Sequence, residues 1–440
     1  MEPIKVYFDK IPRHWITASS AWASKIIVSL VQIVSIRELL LYLGEDRYAV
    51  YAVAYSLMAF FSLSNFGIGV ALQNFISGCR VKQESEDRYL LAALQISAAI
   101  TLVALIITII AASPLQDILF RKFPFVSSSI PIVLAVGLFT IAMAFFQSSY
   151  NVFFAKHKGY IPNILPAIAA MCSMAAIVLL NRRSDIPHSI VLALMCFIVP
   201  QTFIAFVAFI KIYWKYIPKL FNIDKDAVKN LFTRAAKFQG ISIAAILYAN
   251  VDYIIMSQTV QSTDIVAYNI FTRVFMFAYF IHITWMTAIW PVLSEAYIAK
   301  RFKEIKDRMK KQFAYIGSFI IVSTIGILMF SGLIIRVLAP QANISVTSSL
   351  IIIMGFYFLV RCFSDIFSYT LQSFNILKIF WILAPFQIVI NGAGQYFFSK
   401  WFGVQGILMG LTLSFLLTSI LFLPHKLKTV LSDVSKRSNS

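Results

Sequence analysis

The sequence predicts an all-α polytopic membrane protein of twelve transmembrane helices arranged as two halves of six. Three observations predict it. Of 440 residues, 60% are hydrophobic and 13% charged, about half the charged share of a soluble domain, and the mean hydropathy is +0.80. The apolar residues come in blocks of 20 or more, the length at which a helix crosses the hydrocarbon core. The basic residues are sorted between alternate connections, as a multi-pass topology requires.

The first span, 17–43, follows a mixed and partly charged start, MEPIKVYFDKIP, with no small-residue cleavage motif after it. It reads as a retained helix rather than a signal peptide. A short turn leads to 48–77, and 89–112, 128–154, 160–180 and 187–212 complete the first half. The second half holds 234–258, 265–296, 313–338, 346–374, 378–398 and 404–423. The organisation expected is an N-terminal bundle at 1–212, a basic amphipathic linker at 213–233, a C-terminal bundle at 234–423 and a tail at 424–440. In the linker region, Leu220, Phe221, Val228, Leu231 and Phe232 alternate with charges. That pattern suits a helix lying on an anionic leaflet, or a plain connection between halves.

The connections 78–88, 155–159, 213–233, 297–312 and 375–377, with both tails and the adjoining helix ends, carry 27 of the 38 Lys and Arg. The intervening connections carry six: Arg47, Arg121, Lys122, Arg182, Arg183 and Lys400. By the positive-inside rule both tails are expected in the cytoplasm. The net charge of +19 is then a topology signal, and no nucleic-acid partner is expected. The halves are weakly repeated. Tyr51, Ala71 and Ser77 superpose on Tyr268, Ala288 and Ser294, and Tyr150 and Pro166 on Tyr369 and Pro385. Parallel repeats of this kind are common in secondary transporters.

Several classes drop out. The four cysteines show no paired spacing and the five histidines are scattered, so neither a disulfide framework nor a metal site is expected. There is no P-loop, HExxH or GxSxG, hence no built-in ATPase, no enzyme and no cofactor in this reading. A filter motif of the potassium-channel kind is also missing. Secondary transport remains.

Ionisable residues inside spans are costly and are functional candidates by default. The clearest are Lys25, Asp252, Arg273, Arg361 and Asp365. Arg361 and Asp365 are four residues apart, on one helix face. They form a self-neutralising pair, or Arg361 faces a cavity while Asp365 holds it or exchanges a proton. Lys25 either snorkels or adds positive charge to a cavity. Asp252 and Arg273 are linked by the short connection 259–264 and can pair at similar depth. Five in-span cations face Glu38, Asp252, Glu295 and Asp365. The slight positive lean suits a phosphate or carboxylate substrate, whereas an exporter of organic cations would lean towards Asp and Glu.

Residues 43–77, LGEDRYAVYAVAYSLMAFFSLSNFGIGVALQNFIS, carry a short Leu43-Gly44…Tyr48 turn, the aromatic Phe60-Phe61, Gly67 and Gly69, then Ala71-Leu72. The second half has Asp252, Tyr268 and Arg273 around a short turn, then Pro291 and Ser294. In these features the chain resembles the Wzx-type O-antigen flippases, which export polysaccharide repeat units. The resemblance covers essentially the whole chain. It implies the fold of the multidrug/oligosaccharidyl-lipid/polysaccharide exporters (a MATE-like fold), two six-helix bundles around a central cavity. It also implies a lipid-linked oligosaccharide substrate on undecaprenyl diphosphate, moved across a bacterial inner membrane by alternating access, with a proton or sodium ion as coupling ion. Membrane lipids and the polysaccharide polymerase and chain-length machinery are the partners it suggests. On this basis Lys25, Arg361 and Arg273 are the candidates for substrate contact, and Asp365 and Asp252 for coupling or structural pairing. The alternatives are a multidrug antiporter of the same superfamily and a non-transporting component of polysaccharide assembly.

Overall fold

The computed structural model describes residues 13–123, 129–183, 188–341, 344 and 346–439. Lys5 and Lys10 of the expected tail, and residues 124–128 and 184–187 of two sparsely charged connections, lie outside them. Every regular element among the described residues is helical. The chain divides into two compact units, residues 1–246 and 247–440.

The first unit opens with α1 (Arg13–Phe61), 49 residues long and interrupted at Gly44, where φ is 72° and ψ 174°. An unbroken helix of that length would reach about 70 Å, more than twice the hydrocarbon thickness. Next come a 3-10 turn (Ser62–Asn65), α2 (Ile68–Lys82), α3 (Asp87–Phe120), α4 (Ile130–Ala155), α5 (Tyr160–Asn181), α6 (Ile190–Tyr213) and a second 3-10 turn (Trp214–Lys219). Contacts show the reversal within α1. Before Gly44, the Asn163 amide donates to the Thr17 carbonyl and the Asn181 amide to Glu38, each at 2.8 Å, so this half runs parallel to α5. After Gly44, Arg47 donates to the His188 carbonyl at 2.8 Å and Tyr55 packs on Phe197, so this half runs parallel to α6. A left-handed glycine makes so abrupt a turn cheap.

In the second unit, α7 (Lys225–Thr259) begins in the first unit and continues past residue 246. It is followed by α8 (Ser262–Ile298), α9 (Phe302–Met329), the short α10 (Ser331–Leu338), α11 (Ser348–Ser373), α12 (Lys378–Phe415), a π-helical turn (Leu416–Ile420) and α13 (Leu421–Asn439). α12 also reverses, at Gly403 with φ 57°. A Cβ on Gly394 would lie 3.2 Å from the Gly410 Cα, so the two arms lie against each other. Among the described residues ten segments are long and apolar enough to cross a membrane, and two of them, 62 and 55 residues long, contain these reversals. Each of the two therefore supplies two crossings, and the total is the twelve expected.

Two spans differ from expectation: the ninth, read as continuous over 313–338, ends at Met329 and gives way to the short α10. The second span, read as continuous over 48–77, breaks at 62–67, where Phe66 and Gly67 have φ 52° and 66°. A backbone group released inside a bilayer must be bonded within the protein, and the Gln239 side chain donates to the Leu63 carbonyl at 2.9 Å. α7 packs so closely here that a Cβ on Gly67 would lie 2.8 Å from the Phe238 Cβ.

The amphipathic linker region is also tied down. Ala227, Leu231 and Ala235 are buried in a core with Leu72, Ile76 and Tyr213. Gln95 donates to the carbonyls of Leu220 and Asn222, both at 2.8 Å, and the Tyr216 hydroxyl donates to Asp87. The apolar stripe of this segment is thus spent largely on protein, while Phe221 stays 90% exposed.

Candidate functional site

Three helices of the second unit bring polar side chains together. From α7 come Tyr248 and Asp252, from α8 Tyr268, Tyr279 and His282, and from α11 Tyr357, Arg361, Asp365 and Tyr369. Period 3.6 explains the grouping: 248 and 252, 279 and 282, and 357, 361, 365 and 369 are each a stripe on one helix face. α12 is fastened behind them. The Asn391 amide donates to the Tyr248 carbonyl at 2.8 Å, and Gln395 donates to Asn391 at 2.9 Å.

Tyr279 is the centre of the cluster. The Arg361 guanidinium lies over its ring, 4.2 Å from the centroid, a cation–π geometry strengthened by removal from water. The hydroxyl of the same tyrosine donates to Asp365 Oδ2 at 2.8 Å. Arg361 also donates to the Tyr357 hydroxyl at 3.1 Å. His282 is fully buried and places Nε2 3.8 Å from Asp365 Oδ2. Arg361 and Asp365, one turn apart, are therefore joined through an aromatic side chain that touches the cation with its face and the anion with its edge.

Asp252 is 7% exposed. It accepts a hydrogen bond from the Tyr268 hydroxyl at 2.6 Å and another from the Tyr253 backbone N–H at 3.0 Å. The Tyr253 hydroxyl in turn accepts from Asn269 at 2.6 Å. Asp252 also feels the Arg361 charge. One half-buried guanidinium thus acts on two carboxylates, each hydrogen-bonded by a tyrosine. Charge-assisted bonds of this kind offset the desolvation of buried ions. The arrangement can hold an anion on Arg361, or pass a proton at Asp365 or Asp252 while phenolic hydroxyls keep the carboxylates in place.

Of the residues singled out in the sequence, the structure brings Arg361, Asp365 and Asp252 into one electrostatic neighbourhood. Arg273 is half-buried on α8, beyond Tyr268. Lys25 is exposed on the first arm of α1, in the first unit. Tyr279, Tyr357 and His282 were not singled out. Helical spacing puts Tyr357 one turn before Arg361 and Tyr279 and His282 on one face of the eighth span, but it does not separate them from the other aromatic side chains of the spans. Among the described residues no group of three or more His, Cys, Asp or Glu is placed to hold a metal ion.

Residues 17–297 match the family described as polysaccharide biosynthesis protein, and residues 240–397 match the MatE family. A relative from Yersinia pseudotuberculosis, named for O-antigen export, is 33% identical over 97% of this chain and 98% of its own length. One from Salmonella typhimurium, named as an O-antigen transporter, is 32% identical over 96% and 98%. Among solved structures, an inward-facing multidrug transporter of the MATE family superposes with a TM-score of 0.76 at 12% identity, covering 95% of this chain and 99% of that one. The lipid II flippase MurJ superposes with a TM-score of 0.70 at 16% identity, covering 94% and 87%. These two likenesses establish the MATE-like fold.

Proposed function

The chain belongs to the polysaccharide biosynthesis protein family, and from that membership we propose that it is a flippase for lipid-linked oligosaccharide repeat units of the O-antigen type. The observation that carries the reading is the near full-length likeness to relatives named for O-antigen export and transport. Arg361 supports it as a cation within a span, because a diphosphate-linked head bare in hydrocarbon would be prohibitively costly; the cluster as a whole attracts that head when Asp365 and Asp252 are protonated.

In this reading the protein works in the bacterial inner membrane with its basic connections in the cytoplasm. The substrate is carried on undecaprenyl diphosphate and moves to the opposite leaflet by alternating access. Arg361 and Lys25 contact the head group, and Arg273 contacts it or latches to Asp252. Asp365 or Asp252 takes up the coupling proton; a sodium ion at the same carboxylates is the other form of coupling. The polymerase and chain-length machinery receive the product. Proteins of this kind move their substrate without making or breaking covalent bonds, so no catalytic residue is assigned.

The test is reconstitution. Purified protein in vesicles is expected to expose an undecaprenyl-diphosphate-linked oligosaccharide to an external lectin faster than empty vesicles do. Equal rates would remove the proposal. In a flippase-null strain, Arg361→Ala and Lys25→Ala are each expected to lower surface polysaccharide at normal expression. Unchanged polysaccharide with both would sink the head-group assignment.

The MatE match over residues 240–397 favours a second reading, a multidrug antiporter. Raised resistance to cationic dyes on overexpression, with no lipid-linked sugar flipping, would establish it.

A further inference from the structure

A second feature lies where α8 and α9 meet, and shares His282 with the Arg361 cluster. The two helices are joined by the turn at 299–301, and along α9 the residues 304, 308, 311, 312, 315, 316 and 319 fall on one stripe by helical periodicity. That stripe changes character from one end to the other.

At the end near the turn is an open depression of about 760 Å³. Two of its cations are occupied: Glu304 pairs with Arg301 at 2.8 Å and with Arg308 at 2.7 Å. Lys300, Lys303 and Lys311 also line it, against the single carboxylate of Asp307, so the depression is net positive. One residue beyond Lys311 the stripe enters a second cavity of about 300 Å³, walled by Ile281, Trp285, Met286, Ile316 and Phe319, with His282 of the Arg361 cluster also in its lining. Its mouth is on the protein surface, since Trp285 is 53% and Tyr315 63% exposed. Gln312 stands between the two parts. It is 5% exposed, and among the described residues neither its Nε2 nor its Oε1 has a hydrogen-bond partner. A buried amide left without partners is costly, and a ligand that meets it removes that cost.

We propose that this stripe is a binding site for one anionic phospholipid, with its phosphate on Lys300, Lys303 and Lys311, an ester carbonyl accepting from Gln312, and an acyl chain in the groove between Trp285, Met286, Ile316 and Phe319. The order of polarity along α9 (cationic, amide, hydrocarbon) is that of such a lipid read from head to tail. The dimensions agree. Arg308 to Phe319 spans about 16 Å of helix, close to half the thickness of a hydrocarbon core. A free phosphate would leave the apolar half without a partner. Lysines are point charges suited to a single phosphate, and a groove open at the protein surface meets bulk lipid at high concentration. The proposal stands independently of the cargo.

Native mass spectrometry of the detergent-solubilised full chain tests it, with added phosphatidylglycerol or phosphatidylcholine of identical chains. A one-to-one phosphatidylglycerol adduct is expected at about one-tenth the lipid concentration that phosphatidylcholine needs, since each lysine near a phosphate contributes appreciably. The triple variant Lys300→Ala, Lys303→Ala, Lys311→Ala is expected to abolish that preference, and Ile316→Trp to block the adduct by filling the groove. Equal retention of the two lipids, or phosphatidylglycerol retention unaffected by Ile316→Trp, would overturn the site. So would an undecaprenyl diphosphate adduct that phosphatidylglycerol cannot displace, which would assign the groove to the cargo. A second measurement covers failure of the triple variant to fold. In nanodiscs, brominated phosphatidylglycerol should quench the fluorescence component that Trp285→Phe removes more strongly than brominated phosphatidylcholine does. No difference between the two lipids would also overturn the proposal.

Discussion

Tyr279 touches a guanidinium with its ring and a carboxylate with its hydroxyl. These two contacts can be separated. Tyr279→Phe keeps the ring under Arg361 and removes the bond to Asp365. A hydrogen bond to a charged group contributes about 1.5–3 kcal/mol, so flipping by the purified variant in vesicles is expected to fall about tenfold or more. A rate within twofold of wild type would show that the link has no part in transport. The charges of this cluster were legible in the sequence, because Arg361 and Asp365 are conspicuous in an apolar span and lie four residues apart. The tyrosines were not. Of 19 Tyr and 40 Phe, most serve as core or as lipid-facing and interfacial side chains, as membrane helices use aromatics. Nothing in composition separates Tyr279 or Tyr357 from them. Only the juxtaposition of α8 with α11 gives those hydroxyls a role, and that is a tertiary fact. His282 was invisible for the same reason, since its neighbour Asp365 lies 83 positions away in the chain.

The helices themselves were better specified. A run of apolar residues declares a span directly, and the described elements follow the twelve predicted ones closely. The exceptions occur where backbone geometry rather than hydrophobicity decides. The break at 62–67 left no mark in hydropathy, because LSNFG lies between apolar stretches. It depends on Gln239 reaching the Leu63 carbonyl. Gln239→Leu is expected to destabilise the protein by about 1–3 kcal/mol, the cost of a buried acceptor left unpaired. Thermal unfolding in detergent measures it, and an unchanged midpoint would mean that the carbonyl finds another donor. At Gly403, where φ is 57° and ψ -137°, replacement by Val forces a branched side chain into a sparsely populated backbone region at a cost of about 1–3 kcal/mol. Because the Gly403 position has open space around it, the loss is conformational rather than steric, and the same thermal unfolding in detergent is expected to show it.

For the whole molecule the strongest statement in the sequence was the sorting of its basic residues, 27 of 38 on one set of connections. It predicts an orientation that a reporter can read. A fluorescent protein that matures only in the cytoplasm is expected to glow when fused after Asn439 or inserted at 300–301. Alkaline phosphatase, active only outside, is expected to work when inserted at 121–122 or 339–340. The opposite pattern would invert the proposed direction of transport. Fold class needed little beyond composition and spacing, whereas the cargo came from likeness to relatives, since no arrangement of a few buried charges specifies a sugar.

The two glycine reversals bear on how such a protein is made. At Gly44 and Gly403 one arm passes into the next with almost no chain between them. A helix that enters the bilayer alone must drag its following loop across, and a polar loop resists that passage. Here there is scarcely a loop to drag. The arms on either side of each glycine can leave the insertion machinery together as a hairpin, and those flanking Gly403 lie against each other.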